Sequence, residues 1–142
     1  MRYAFASPGW MAFMHGLVTE RVRRFQTEAP EIAWSICEVF TDPPAELSPD
    51  GSALAWHCIV RDGEVIFEAA ETDDVAFKVV IDYDAVVPLG RYDTRGEPAR
   101  KAELGAMAQA LRDSGKMRVI GDRSLRDPRV GDFHDLIARV TV

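Results

Sequence analysis

Residues 32–83 contain four separate runs rich in β-branched and aromatic residues, and this pattern constrains the fold more than any other feature of the sequence. The runs are IAWSICEVF, ALAWHCIV, EVIFEA and VAFKVVIDY, and turn-forming residues separate each from the next. Such runs between turn formers predict four consecutive β-strands. Asp62–Gly63 lies between the second and third runs and favours the type I′ turn of a β-hairpin, because both residue types accept positive φ.

Period-two alternation in the fourth run indicates which face of the predicted sheet is buried. Alternate residues from Val75 to Ile81 are all apolar, whereas the intervening positions include Lys78 and Asp82. Successive side chains of a strand point to opposite faces of its sheet. We therefore expect a sheet that helices cover on one face only.

The two ends of the chain have helical patterns. Ser7 followed by Pro8 is a typical helix start, and apolar residues recur at helical spacing from there to about Phe25. Near the other end, Asp132 is a candidate N-cap. Apolar residues spaced for one helix face follow it, starting with Phe133, and predict a closing helix.

The segment between the fourth strand and the closing helix predicts a crossover. DAVVPLG has the pattern of a short helix with Asp84 as its N-cap, and Pro98 begins an Ala-rich helix that Ser114 and Gly115 end. GKMRVIGD then predicts a short fifth strand. After so long a connection, this strand is expected to return to the existing sheet, at an edge or in a gap.

The order of elements and the phrase GKMRVIGD resemble the sterol-carrier-protein-2 family of lipid-binding domains. Members of that family typically carry a hairpin like Arg61–Phe67, a strand like Asp74–Asp82, a helical crossover and a last strand like Gly115–Asp122. The resemblance covers residues 30–142 and, with an N-terminal helix in 1–29, predicts a single domain. It implies an α+β fold in which helices pack on one face of a five-stranded mixed sheet and enclose an apolar cavity.

Two features differ from the family pattern. The crossover between Asp82 and Gly115 is longer than is usual, so a loop around Tyr92–Glu97 is expected to cover, narrow or replace the mouth of the cavity. AMAQALRDS stands where the family has a segment like Gln-Ala-Phe-Met.

The resemblance implies non-catalytic binding or transfer of a hydrophobic small molecule of the sterol, fatty acid or acyl-CoA type, with no cofactor. Aromatic and methionine side chains of the predicted helices suit the wall of a cavity, although ordinary core packing uses the same residue types. The residues predicted to line the cavity are Trp10, Phe13, Met14, Leu17, Phe77, Val79, Ile81, Met107, Leu111, Phe133 and Ile137.

Two other functions stay open on the sequence alone. One is an enzyme or accessory subunit of a lipid or steroid pathway that uses the same cavity, with Asp82, Tyr83 or His57 as acid or base. The other is an interaction module, such as a homodimer, that docks through an edge strand or the first helix. Lys116 and Arg118 could meet an anionic head group of a ligand, although solvated surface charge is the more ordinary explanation.

Composition argues against several classes of partner. Seventeen Lys and Arg against 23 Asp and Glu give a net charge of −6, a poor match to nucleic acid phosphates. No run approaches the ~18 apolar residues of a membrane span, so no integral membrane segment is expected. The two cysteines and three histidines lack metal-site spacing, so no metal is expected. Free thiols and the lack of a signal-like apolar core predict a cytoplasmic protein.

Overall fold

The computed structural model describes residues 1–25, 27–122, 129 and 133–142 of the chain. It confirms the predicted order of helices and strands. The elements bounded within this part are α1 (Pro8–Phe25), β1 (Trp34–Thr41), β2 (Leu54–Arg61), β3 (Glu64–Glu68), β4 (Phe77–Asp82), α2 (Tyr83–Arg91), α3 (Pro98–Asp113), β5 (Met117–Gly121) and α4 (His134–Val140).

The five strands form one mixed sheet in the order β3-β2-β1-β4-β5. β1 runs parallel to β4, and each of the other neighbouring pairs is antiparallel. β5 therefore joins at an edge, beside β4, which is one of the two placements expected from the crossover. In the turn between β2 and β3, Asp62 and Gly63 both have positive φ, as a type I′ turn requires.

An aromatic cluster holds α1 and α2 against the inner face of the sheet, which is the face that the helices cover. The ring of Phe5 lies 4.8 Å from that of Trp10 and 5.0 Å from that of Phe40, measured between centroids. The buried hydroxyl of Tyr83 donates a 2.8 Å hydrogen bond to the carbonyl oxygen of Phe5. Gly90 lets α2 approach this ring closely, because a Cβ at that position would lie 2.6 Å from it.

Among the described residues, helices cover the inner face only, as predicted, but a non-helical segment covers part of the outer face. Residues 69–76 connect the edge strand β3 to β4 and therefore pass across β2 and β1. Lys78, which alternation places on the outer face, is only 7% exposed beneath this segment. Its ammonium group donates to Glu71 at 3.0 Å and also to Asp73, and these bonds, first that to Asp73, raise the pKa of Lys78.

The starts of α1 at Pro8 and of α3 at Pro98 agree with the sequence predictions, whereas those of α2 and α4 differ by one or two residues. Asp82, rather than the predicted Asp84, occupies the N-cap position of α2. Asp84 lies in the first turn, where its charge is favourable beside the positive end of the helix dipole. The predicted N-cap Asp132 lies outside the described residues, and Phe133 occupies the cap position of α4.

We expect Gly121→Ala to lower the free energy of unfolding by about 2–4 kcal/mol, because it adds backbone strain and a steric clash. Gly121 has a φ of +98°. A Cβ there would lie 2.4 Å from the carbonyl oxygen of Ala76, the residue that precedes β4. Gly115→Ala is the matched control, since Gly115 has a φ of +77° and no neighbouring atom within 4 Å. It should cost about 1 kcal/mol. Urea unfolding measures both, and equal losses would contradict the clash.

Candidate functional site

A cavity of about 450 Å³ lies between the inner face of the sheet and the helices. This volume falls within the range of roughly 300–1,000 Å³ that is typical of small-molecule sites. The sheet side consists of Trp34, Ile36, Glu38, Trp56, Phe77, Val79, Ile81, Met117 and Val119. The other side consists of Phe5, Trp10, Met14, Val86, Leu89, Gly90, Lys101, Leu104, Gly105, Ala108, Arg112, Phe133, His134 and Ile137.

Helix α3 forms one side of the cavity and is only partly packed against the core, through Ala108 and Leu111. None of its sixteen residues is buried. The residues that face the cavity recur every three or four positions, and two of them, Gly105 and Ala108, are small. Because these small side chains fill little space, room remains between the helix and the sheet.

The structure places seven of the eleven predicted lining residues at the cavity and four elsewhere. That these residues bind a ligand stays a prediction. At the cavity are Trp10, Met14, Phe77, Val79, Ile81, Phe133 and Ile137. The residues that are not part of the described wall are Phe13, Leu17, Met107 and Leu111.

The four residues outside the described wall lie on helix faces next to the face that lines the cavity. Phe13 packs against the N-terminal segment, with its ring 6.0 Å from that of Tyr3. On α3, the predicted stripe through Met107 and Leu111 is the more apolar one. The stripe that faces the cavity instead runs through Ala108, one residue and about 100° away on the helix.

Within the described part of the chain, four ionisable residues line the cavity, and the sequence predictions missed all of them. Glu38 lies on β1, Lys101 and Arg112 on α3, and His134 on α4, where its Nε2 is 2.7 Å from the carbonyl oxygen of Tyr92. The sequence contained a signal for Glu38. It occupies an inward position of β1 whose neighbours two residues away on either side are apolar.

The Tyr92–Glu97 loop is fastened to α4 rather than placed over the cavity. None of its residues is part of the described cavity wall, so the expected cover of the cavity mouth is not observed. Asp135 accepts hydrogen bonds from the backbone N–H of Thr94 at 2.8 Å and from its hydroxyl at 2.6 Å. Arg139 also donates to Asp93 at 2.9 Å. The loop therefore ties the N-terminal end of α3 to α4.

The carboxyl group of Asp135 titrates below the ordinary range. Burial acts to raise the pKa of Asp135, but the two hydrogen bonds from Thr94 oppose this effect, and the net shift is downward. A carboxylate with a lowered pKa stabilises the fold above its unfolded pKa, and that contribution is lost as the pH falls through its folded value.

The three acid-base candidates lie away from the cavity. The hydroxyl of Tyr83 donates a hydrogen bond to the carbonyl oxygen of Phe5, and burial raises the pKa of Tyr83. His57 points to the outer face of the sheet, where its Nδ1 lies 2.6 Å from the carbonyl oxygen of Ala70. Asp82 caps α2. None of them is part of the described cavity wall.

Neither cysteine is poised for nucleophilic chemistry or for a disulfide. Both are free and fully buried. Burial raises the pKa of Cys58 to about 12 and also raises that of Cys37. Cys37 pairs across the sheet with His57, and Cys58 with Ile36, so the two thiols lie on opposite faces.

The described part of the chain contains neither a metal cluster nor a membrane helix. No group of three or more His, Cys, Asp or Glu side chains there is arranged to hold a metal ion. No helix in that part is both long and apolar enough to cross a membrane.

Comparison of the structure with solved structures identifies the fold. A conserved hypothetical protein of Thermus thermophilus, described as a possible sterol carrier protein, matches with a TM-score of 0.54 over 95% of this chain and 88% of its own, at 11% identity. The chain has the sterol carrier protein fold. No model of a known protein family and no curated protein matches its sequence.

Two further sterol carrier structures have lower similarity to this one. A sterol carrier protein 2 crystal structure has a TM-score of 0.47 and 10% identity, with coverage of 96% of this chain and 95% of its own. Sterol carrier protein domain 2 of Helicoverpa armigera has a TM-score of 0.43 and 16% identity, with coverage of 90% and 87%. The fold assignment rests on the Thermus structure.

We expect Thr94→Val to lower the free energy of unfolding by about 1–3 kcal/mol at neutral pH, because the Asp135 carboxylate loses a hydroxyl donor. Protonation of Asp135 removes the same interaction. The difference between wild type and variant should therefore shrink as the pH falls below the ordinary carboxyl value of about 3.9.

Urea unfolding at neutral and acidic pH measures both effects. Thr19→Val on α1 is the control, since Thr19 is half-buried and distant in sequence from the loop. A Thr94→Val loss that is the same at both pH values would contradict this role of Asp135.

Proposed function

We propose that this chain binds a hydrophobic small molecule of the sterol, fatty acid or acyl-CoA type in the cavity, and carries or transfers it without chemical change. The observation that supports this proposal is the cavity of about 450 Å³, whose sheet side is apolar apart from Glu38. The fold supports it as well, because the Thermus structure that shares it is described as a possible sterol carrier protein.

An apolar ligand would gain free energy in this cavity. The cavity is partly open, so solvent enters it when no ligand is bound. A ligand that displaces this water from the apolar wall gains about 25 cal/mol per Å² of apolar surface that is buried.

The three acid-base candidates taken from the sequence do not support catalysis in this cavity. His57 lies on the opposite face of the sheet, and the Tyr83 hydroxyl donates to a backbone carbonyl. An enzyme that used the cavity would have to rely on other ionisable residues of its wall, such as His134. We propose a non-catalytic function, because the fold is shared with a possible sterol carrier protein.

Native mass spectrometry on protein purified without detergent tests the proposal directly. We expect an adduct of stoichiometric amount, which solvent extraction releases as an apolar molecule. Displacement of the neutral apolar dye Nile red supplies an affinity for the protein after extraction. A mass equal to that of the bare chain, together with no binding of the dye, would refute the proposal.

Ala108→Trp should block the cavity and weaken binding of Nile red at least about tenfold, because an indole would fill space that the ligand needs. Ala108 is half-buried on the cavity side of α3. Ala106→Trp is the matched control, since Ala106 is an exposed alanine of the same helix and not part of the cavity wall. If both variants bind the dye as wild type does, the ligand site lies elsewhere.

A further inference from the structure

The wall of the cavity carries more basic groups than acidic ones. Among its described residues, Lys101 and Arg112 are basic, whereas Glu38 is the only acid. Glu38 also has an interaction partner within the protein, so its carboxylate is not a lone charge in the cavity. An acidic ligand would therefore meet cationic groups that the wall does not match with an equal number of acids.

Both basic residues lie on the face of α3 that lines the cavity. This face consists of Lys101, Leu104, Gly105, Ala108 and Arg112, so only its two ends are charged. The two basic residues are eleven positions apart, which is about 16 Å along the helix axis. Between them, the helix offers apolar surface to the chain of a ligand. A compact head group can contact one of the two basic residues but not both, so the two positions can be tested separately.

Arg112 is the better placed of the two to hold a head group. It is half-buried, whereas Lys101 is exposed. Its Nη2 donates a 2.8 Å hydrogen bond to the amide oxygen of Gln109, and Gln109 donates in turn to Asp113. This neutral acceptor orients the guanidinium without neutralising it, and no ion pair among the described residues includes Arg112. A guanidinium has five N–H donors, so most of those of Arg112 remain for a ligand.

The C-terminal end of α3 can accept an anion, although free helix C-termini repel negative charge. That repulsion comes from carbonyl groups that lack partners. In this helix, the backbone N–H groups of residues 114–116 donate to the carbonyl oxygens of residues 110–112. The chain then turns directly into β5, whose Met117 and Val119 line the cavity. Arg112 thus lies beside apolar surface that an alkyl chain can follow into the cavity.

Arginine distinguishes among the head groups of apolar ligands. Its planar guanidinium donates two parallel hydrogen bonds to a carboxylate or a phosphate, and such charge-assisted bonds are about twice as strong as neutral ones. An alcohol supplies one neutral acceptor oxygen, whereas a protonated amine supplies no acceptor and is repelled. A half-buried arginine therefore favours an acid over an alcohol with the same chain.

We propose that Arg112 holds the anionic head group, a carboxylate or a phosphate, of the apolar ligand, whose chain extends from there along the inner wall of the cavity. This inference rests on the proposed function and narrows it to acidic amphiphiles. Neutral molecules such as sterols would bind through apolar contacts alone, and hence more weakly than acids of similar apolar surface.

Ligands that share one chain and differ in head group test the inference on the wild-type protein. The probes are dodecanoate, dodecyl phosphate, dodecanol and dodecane, each measured below its aggregation concentration by displacement of Nile red and by native mass spectrometry. We expect the tighter of the two anions to bind at least about tenfold more tightly than dodecanol. Comparison of the two anions identifies the head group as a carboxylate or a phosphate. If dodecanol binds as tightly as both anions, or more tightly, the inference is overturned.

Two substitutions of Arg112 separate its charge from its geometry. Arg112→Gln removes both, so it should weaken binding of the tighter anion about tenfold and leave dodecanol and dodecane within about twofold. Arg112→Lys keeps the charge but not the planar fork, so its loss should be smaller, about threefold. An equal loss for the anion and for dodecane would show that Arg112 supports the wall and not the head group, which contradicts the inference.

Arg118→Gln is the matched control, because it removes the same charge on the other face of the sheet. Arg118 lies between Met117 and Val119 on β5, so alternation turns its exposed side chain away from the cavity. It should leave all affinities within about twofold, because salt screens distant exposed charges. Lys101→Gln removes the other basic group of the wall and should weaken the anion by no more than about threefold, because exposed ion pairs contribute little. If either variant weakens the anion as much as Arg112→Gln does, overall charge or another position attracts the acid, and the inference fails.

The outcomes distinguish this inference from the proposed function. If no probe binds wild type, including dodecane and Nile red, the proposed function fails. If dodecane and Nile red bind but the anions have no advantage over dodecanol, the cavity binds apolar molecules and Arg112 does not select their head group. Thermal unfolding of each variant verifies folding, and the wild-type series decides the matter if a variant does not fold.

Discussion

Contacts at its two ends hold helix α3 over the cavity. None of its side chains is fully buried, although Ala108 and Leu111 pack partly against the core. At its start, Arg100 donates two hydrogen bonds to the carbonyl oxygen of Asp93 and lies 4.6 Å from the ring centroid of Tyr92. At its end, the backbone N–H of Lys116 donates to the carbonyl oxygen of Leu111 as the chain turns into β5. Between these ends, the small residues Gly105 and Ala108 fill little of the space beneath the helix.

The two faces of the sheet are buried by different means. On the inner face, the Phe5 cluster packs one end tightly, while the cavity occupies the space under α3. On the outer face, residues 69–76 bury polar side chains, and each has a partner from that segment: Ala70 for His57, and Glu71 with Asp73 for Lys78. Polar groups satisfied in this way specify a unique arrangement. The strands between the faces therefore form a rigid wall.

The sequence predicted elements better than it predicted the site, for reasons that particular residues illustrate. Asp62–Gly63 and Pro98 act locally, through backbone conformation, so the hairpin and the start of α3 were predictable. Which face of α3 lies toward the cavity depends on tertiary packing. Hydrophobic periodicity predicted the face with Leu111, whereas the face with Ala108 lines the cavity. The burial of Lys78 could not be predicted for a similar reason. Residues 69–76 bury it, and the path of this loop over the sheet depends on the strand order.

The two walls of the cavity differ in how firmly the fold holds them. β1 has hydrogen-bonded neighbours on both sides, so the backbone of the sheet wall is fixed in position. Across the cavity, none of the α3 side chains is fully buried, and Gly105 and Ala108 are small. Few apolar contacts therefore oppose a small movement of this helix. If the cavity changes in volume, the helix wall is the part that moves, while the sheet wall keeps its geometry.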